Sequence, residues 1–300
     1  MSGEIDGFRY GAVTPVAAYL MAWLGSSLGL RCMVRTLHHR RGWKPGWLAL
    51  GGASIGCGIW TMHFIAMMGF TIEDTHLTYD TGLTVLSLVI AVVVVGMGVF
   101  VVGYAGATSP ALWVAGPVTG LGVAGMHYVG MAAMRTSGSF RFDTSMVVLS
   151  LAIAVGAATT ALRASVRTRR FRASLGAGLV LAVAVSGMHY TSMAALSYHP
   201  DSHAPDSHGH SPLSTLLPML TGPVFFMLLT ACIVMFDPLV VGGEDEQELG
   251  PAPVRPTGAV HRRPGPGVPP PPADLTTQPD HAARGAGTHT FERPGHRGRR

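Results

Sequence analysis

The sequence predicts an all-α membrane protein: a polytopic bundle of seven transmembrane helices with its N-terminus outside and its C-terminus in the cytoplasm. Three observations carry this reading. Hydrophobic residues make up 48% of the 300 residues and charged residues 12%, with most of the charge lying outside long apolar runs. Those runs are roughly 20 residues each, more than a single soluble core needs and enough to cross a bilayer. They are continuous, which disfavours the alternating strands of an outer-membrane barrel. Finally, Lys and Arg gather in alternate connections, as the positive-inside rule requires of cytoplasmic loops.

In chain order the apolar runs are 12–34, 48–70, 82–104, 111–134, 144–162, 173–196 and 213–236. Residues 1–11 carry Glu4 and Asp6 ahead of the first run and lack a basic leader with a cleavage site. The first run is therefore expected to stay in place as a helix behind a short extracytoplasmic segment. The connection after the first helix holds Arg35, Arg40, Arg41 and Lys44, and that after the fifth holds Arg163, Arg167, Arg169, Arg170 and Arg172. Both are assigned to the cytoplasm. The opposite side holds Arg9, Arg135 and Arg141 beside acidic Glu73, Asp74 and Asp80. Cys32, Cys57 and Cys232 all fall in apolar runs, which argues against a disulfide framework. The membrane domain spans 12–236. Residues 237–300 are rich in Pro and Gly, with four consecutive prolines at 269–272, and are expected to form a disordered cytoplasmic tail. Two readings of that tail stand: a solvated segment, or one whose basic end meets the anionic inner leaflet or a cytoplasmic signalling partner. The net charge of +5 comes from loops and tail and does not indicate a nucleic-acid partner.

A repeat runs through the apolar segments. Met62-His63-Phe64-Ile65, Met126-His127-Tyr128-Val129 and Met188-His189-Tyr190-Thr191 are separated by 64 and 62 residues, His to His. Such a period has room for two membrane-spanning helices. Each His is followed one helical turn later by a Met: Met67, Met131 and Met193. The motif helices, second, fourth and sixth, run in the same direction, so the imidazoles share one level ~10 Å below the outer boundary. Small residues flank the motifs, and Gly52 with Gly56 and Gly116 with Gly120 have spacings that let helix backbones approach closely. Convergence of the three motif helices follows as an expectation.

An imidazole at this depth must be satisfied by a polar side chain, a backbone carbonyl, water or a metal. If a metal, imidazole with thioether sulfur and no nearby carboxylate selects copper over Mg²⁺ and Ca²⁺. The candidate ligands are His63, His127 and His189, with Met67, Met131 and Met193 after them and Met62, Met126 and Met188 before. Cys57, six residues before His63, is read as packing. The connection before the last helix holds His199, His203, His208 and His210 with Asp201 and Asp206, either a weak metal collector or a solvated spacer.

At these motifs, over about residues 10 to 240, the chain resembles the MHYT-domain integral membrane sensors. The three tetrads read MHFI, MHYV and MHYT here, with Phe64 replacing the family's Tyr in the first. The resemblance implies a multi-pass domain of the bacterial inner membrane. It also implies that His and Met residues near the outer face coordinate one or two copper ions, and that the domain senses oxygen, carbon monoxide or nitric oxide. Some relatives continue into cyclic-dinucleotide synthesis or hydrolysis domains, which this sequence is read as lacking. The alternative from another class is a metal-ion transporter or permease with the His/Met level as its transit site. No hydrolytic triad, phosphate loop or carboxylate pair is recognisable, so an enzyme is not expected.

Overall fold

A computed structural model describes residues 5–6, 10–38, 44–72, 77–106, 108–136, 138–167, 171–200 and 212–236. It contains seven long helices: α1 (Val13–His38), α2 (Lys44–Met68), α3 (Thr81–Ala105), α4 (Ser109–Ala132), α5 (Thr144–Arg167), α6 (Phe171–Ala194) and α7 (Pro212–Phe236). Each corresponds to a predicted run. Six are long and apolar enough to cross a membrane. The exception is α4, which is 24 residues long but spends many positions on Gly, Pro, Thr and His.

Boundaries differ at both ends of the bundle for physical reasons. At one end α1 continues to residue 38 where the apolar run stops at 34, α5 continues to 167 where it stops at 162, and α2 starts at 44 where it starts at 48. Apolarity stops where Arg and Lys begin, but the helix does not, because these side chains favour helix and extend their charges beyond its apolar body. Much of what the sequence presents as basic loop is therefore helix end. Arg35 lies over the Trp47 ring at 5.2 Å, Lys44 over Tyr104 at 4.6 Å and Arg163 over Trp113 at 6.0 Å. These basic and aromatic pairs form a band of the kind found at a membrane interface.

At the other end the motif helices stop two residues early, where the chain turns into short strands absent from the predicted elements. These are β1 (Ile5–Asp6), β2 (Thr71–Ile72), β3 (Thr78–Tyr79), β4 (Met134–Arg135), β5 (Gly138–Phe142) and β6 (Leu196–Pro200). They pair antiparallel as β1 with β2, β3 with β4 and β5 with β6. The repeat unit is thus strand, helix, helix, strand, closed on itself by one ribbon, and it occurs three times before α7. Asp80 and Asp143 occupy matching places in the second and third units. Their backbone N–H groups donate to Ala133 and Ala195 at 2.8 Å, and their carboxylates accept from Leu83 and Met146 N–H at 3.0 Å, capping α3 and α5.

The six helices of the three units pack in sequence order, and α1 closes the ring against α6. Helix α7 lies outside the ring against α2 and α1, leaving α2 buried over most of its length. The small-residue spacings are used, though not between the motif helices. A Cβ on Gly52 would stand 2.7 Å from Gly96 Cα of α3, and one on Gly116 would clash with Thr159 of α5. In the third unit Gly178 faces Ser27 of α1 in the same way. Each motif helix is therefore locked to the first helix of the next unit. This seam, closed three times, carries the motif faces to the common axis.

Residues 201–211 and 237–300 lie outside the described residues, and with them His203, His208, His210 and the expected tail. His199 belongs to β6, is exposed and pairs with Ser139.

Candidate metal centre

Helices α2, α4 and α6 bring His63, His127 and His189 together on the ring axis, each only 1% exposed. Their Nδ1 atoms form a triangle. His63 to His127 is 3.1 Å, His63 to His189 is 3.1 Å and His127 to His189 is 3.3 Å. The rings stand at 76°, 77° and 84° to one another, as the blades of a propeller.

Hydrogen bonding alone cannot satisfy this triangle. A neutral imidazole nitrogen carries either a proton or a lone pair, so each Nδ1 is a donor or an acceptor. Among three atoms of two kinds, at least one pair is of the same kind, and one edge must set two protons or two lone pairs against each other. In addition, Nε2 of His63 and of His127 is buried with no partner among the described residues. Unsatisfied buried polar groups cost about 1–3 kcal/mol each. A cation that accepts all three lone pairs removes the conflict. Three imidazole nitrogens bound at ~2.0 Å with tetrahedral angles stand about 3.3 Å apart, and the observed edges match that spacing. The three buried histidines can hold a metal ion.

The surroundings position the imidazoles through the residue after each one. Tyr128 bonds through its hydroxyl to Ser150 of α5 at 2.9 Å and to Ser192 of α6 at 3.2 Å, tying the second unit to the third. Phe64 occupies the matching place in the first unit and meets Gly130 of α4, where a Cβ would lie 3.4 Å from its ring and 2.5 Å from His63 Nε2. The missing hydroxyl and the missing side chain thus coincide. From the strands, Tyr79 packs on Phe64 at 6.0 Å and Phe142 on Tyr128 at 5.9 Å, covering the site from the ribbon end. Burial raises the Tyr79 phenol above its ordinary range. Trp60, which touches Phe64 at 4.7 Å, donates its indole N–H to Ser87 at 2.9 Å.

Of the sequence-predicted candidates, the structure joins the three histidines directly. Met62, Met126 and Met188 are buried beside them, Met67 and Met131 are buried one turn further on, and Met193 is half-buried. Met188 sulfur also receives the Ser192 hydroxyl at 3.8 Å. Cys57 packs in an apolar cluster with Leu28, Cys32 and Met227. Sequence reasoning missed Tyr79, Ser150 and the partnership of Tyr128 with Ser192, since no periodicity announces a contact between units. It also passed over Arg31, a buried cation inside α1 whose charge within an apolar run was a readable signal.

Ring, repeat and histidine cluster together define a multi-pass helical membrane protein with a buried trihistidine site made once from three copies of a unit. Residues 56–115 and 120–178 match the MHYT family, described as the bacterial signalling protein N terminal repeat, so the chain carries MHYT repeats at these two positions. It is 36% identical over 242 residues to the cyclic di-GMP phosphodiesterase NbdA of Pseudomonas aeruginosa, covering 76% of this chain and 30% of that protein. It is 38% identical over 157 residues to the bifunctional diguanylate cyclase/cyclic di-GMP phosphodiesterase MucR of the same organism, covering 51% and 23%. An uncharacterized signaling protein of Caulobacter vibrioides is 35% identical over 159 residues, covering 53% and 19%. The chain therefore spans roughly a fifth to a third of the length of these relatives. No solved structure matches it significantly.

Proposed function

We propose that the protein is a sensor of the bacterial inner membrane that holds copper at His63, His127 and His189 and responds to oxygen, carbon monoxide or nitric oxide. The observation that carries this is the Nδ1 triangle, whose edges of 3.1–3.3 Å suit three nitrogen ligands of one ion and suit no arrangement of imidazole hydrogen bonds. Copper is preferred because the other ligand candidates of the three motifs are thioethers: Met67, Met131 and Met193, and Met62, Met126 and Met188. When bound, Cu(I) supplies an open coordination position for a small π-accepting molecule.

The residues of the chain do the rest. The imidazoles fix the ion, Tyr128 and Phe64 hold the imidazoles, and the ribbons exclude water. All seven helices are taken to span the membrane, with α4 crossing inside the shelter of its neighbours. The basic band at Arg35, Lys44 and Arg163 supports a cytoplasmic assignment for that end and an outer assignment for the site. Residues 12–236 form the sensing domain and do no catalysis. The names of NbdA and MucR point to a cytoplasmic partner that makes or degrades cyclic di-GMP. A metal transporter is less well supported, because the space on the α2, α4 and α6 axis beyond the imidazoles is walled by apolar side chains and one threonine.

The test is metal analysis of protein purified in lipid nanodiscs. Wild type is expected to carry copper, the triple His63→Ala/His127→Ala/His189→Ala variant none, and proteoliposomes no copper flux. Equal copper in wild type and variant would overturn the assignment.

A further inference from the structure

Beyond the imidazoles, toward the N-terminal ends of α2, α4 and α6, the ring holds a partly open cavity of about 40 Å³. Its wall repeats as the site does. Ile59, Val123 and Val185 stand one turn before His63, His127 and His189, and Ile55, Thr119 and Leu181 stand one turn before those. The cavity thus borders the ring axis, with α3 and α5 completing one side of it, and Met188, next to His189, brings its near edge to the level of the imidazoles. Thr119 is the single polar side chain in the wall, and its hydroxyl has no hydrogen-bond partner among the described residues.

A second space of about 310 Å³ opens between α5 and α6. Ala157, Ala161 and Leu181 line both spaces, so only small side chains and one Leu separate the two. At the mouth, Gly156, Thr160 and Val180 are exposed on helices apolar enough to face lipid. From the ribbon end, by contrast, the aromatic contacts of Tyr79 and Phe142 cover the site.

The two approaches select different visitors. A water molecule needs two to four polar partners to occupy such a space, and an ion would shed its hydration without replacement. A neutral diatomic molecule dissolves in the bilayer, and a space of about 40 Å³ exceeds the roughly 10–15 Å³ that a single water requires. We propose that the axial cavity is a docking chamber for a neutral diatomic gas, entered laterally from the bilayer through the cleft between α5 and α6. The proposal rests on the reading of the trihistidine site as a gas-responsive copper centre.

Two probes test it on the full chain in nanodiscs. Xenon, measured by ¹²⁹Xe NMR on metal-free protein, is expected to bind wild type, and Ala161→Phe is expected to abolish that binding. On copper-loaded protein, carbon monoxide rebinding after flash photolysis is expected to slow by about tenfold or more in Ala161→Phe, with copper content unchanged. The smaller Ala157→Leu, which serves if the Phe variant does not assemble, is expected to slow it severalfold. Absence of bound xenon in wild type, or rebinding within twofold of wild type in the assembled variants, would overturn the chamber and its entrance. If the protein takes no copper, the sensor reading fails by itself, and the xenon result alone decides the chamber.

Discussion

The hydroxyl of Tyr128 lies 3.2 Å from that of Ser192, a residue three places after the histidine of the next unit. In the preceding unit the same pairing of places joins Phe64 to Gly130. Hydroxyl meets hydroxyl in one seam, and a bare ring meets a bare backbone in the other. The departure of Phe64 from the family's tyrosine is thus accommodated by its neighbour across the seam.

Tyr128→Phe removes both hydrogen bonds but leaves the packing. A net loss of about 1–2 kcal/mol is expected, since Ser150 keeps its bond to the Val147 carbonyl and Ser192 its contact with Met188. Thermal unfolding in detergent would measure it, and Phe64→Leu would report ring packing without any hydroxyl contribution. A Tyr128→Phe protein as stable as wild type would show that the seam is held by packing alone.

Gly130→Ala puts a Cβ 2.5 Å from His63 Nε2, so the imidazole must move out of the triangle. The expected result is loss of most bound copper together with a destabilisation of about 1–3 kcal/mol. Gly187, two residues before His189, has open space around its Cα, and Gly187→Ala is expected to keep its metal and gain about 1 kcal/mol in helix propensity. Metal content of the two variants, purified side by side, checks the contrast.

Removal of copper should cost stability by mass action, because an ion that binds only the folded ring stabilises it: about 4 kcal/mol at a thousandfold excess over Kd. A Cu(I) chelator is therefore expected to lower the melting temperature of wild type and to leave the triple alanine variant unmoved. An equal shift in both would mean that the chelator acts elsewhere.

Acid should weaken the ribbon end. The Asp80 carboxylate is held below its ordinary pKa by the Leu83 N–H and by Arg135, whose guanidinium is 3.1 Å away. Asp143 is held low by the Ser145 hydroxyl and the Met146 N–H. A depressed folded pKa gives stability that is complete above the unfolded value near ~4 and is lost as pH falls through the folded value. The melting temperature is expected to drop between about pH 5 and pH 3, with a shallower slope for Asp80→Asn, which keeps a capping side chain but cannot titrate. An unchanged slope in that variant would remove Asp80 from the account.

The helices and the level of the histidines were legible in the sequence because both follow from local rules. Apolar runs mark spans, and a residue's place along a run marks its depth. The closeness of His63 to His189, 126 residues apart, was legible only as an inference from repetition. The seams were not, since Gly52 and Gly116 announce close packing without naming α3 and α5 as partners. The ribbons escaped for a related reason: most strands of two residues carry no period, and their pairing is settled by the helices that bring them together. The basic helix ends were misread because hydropathy tracks lipid and not backbone conformation.

Helix α7 breaks the repeat. The ring is built from three equal units, but α7 leans mainly on α2 and α1, with a smaller contact at β3. A loosening of the ring about its centre, the same in every direction, would press on this helix from one flank only. Such a one-sided helix would give a bearing to a change that has none of its own.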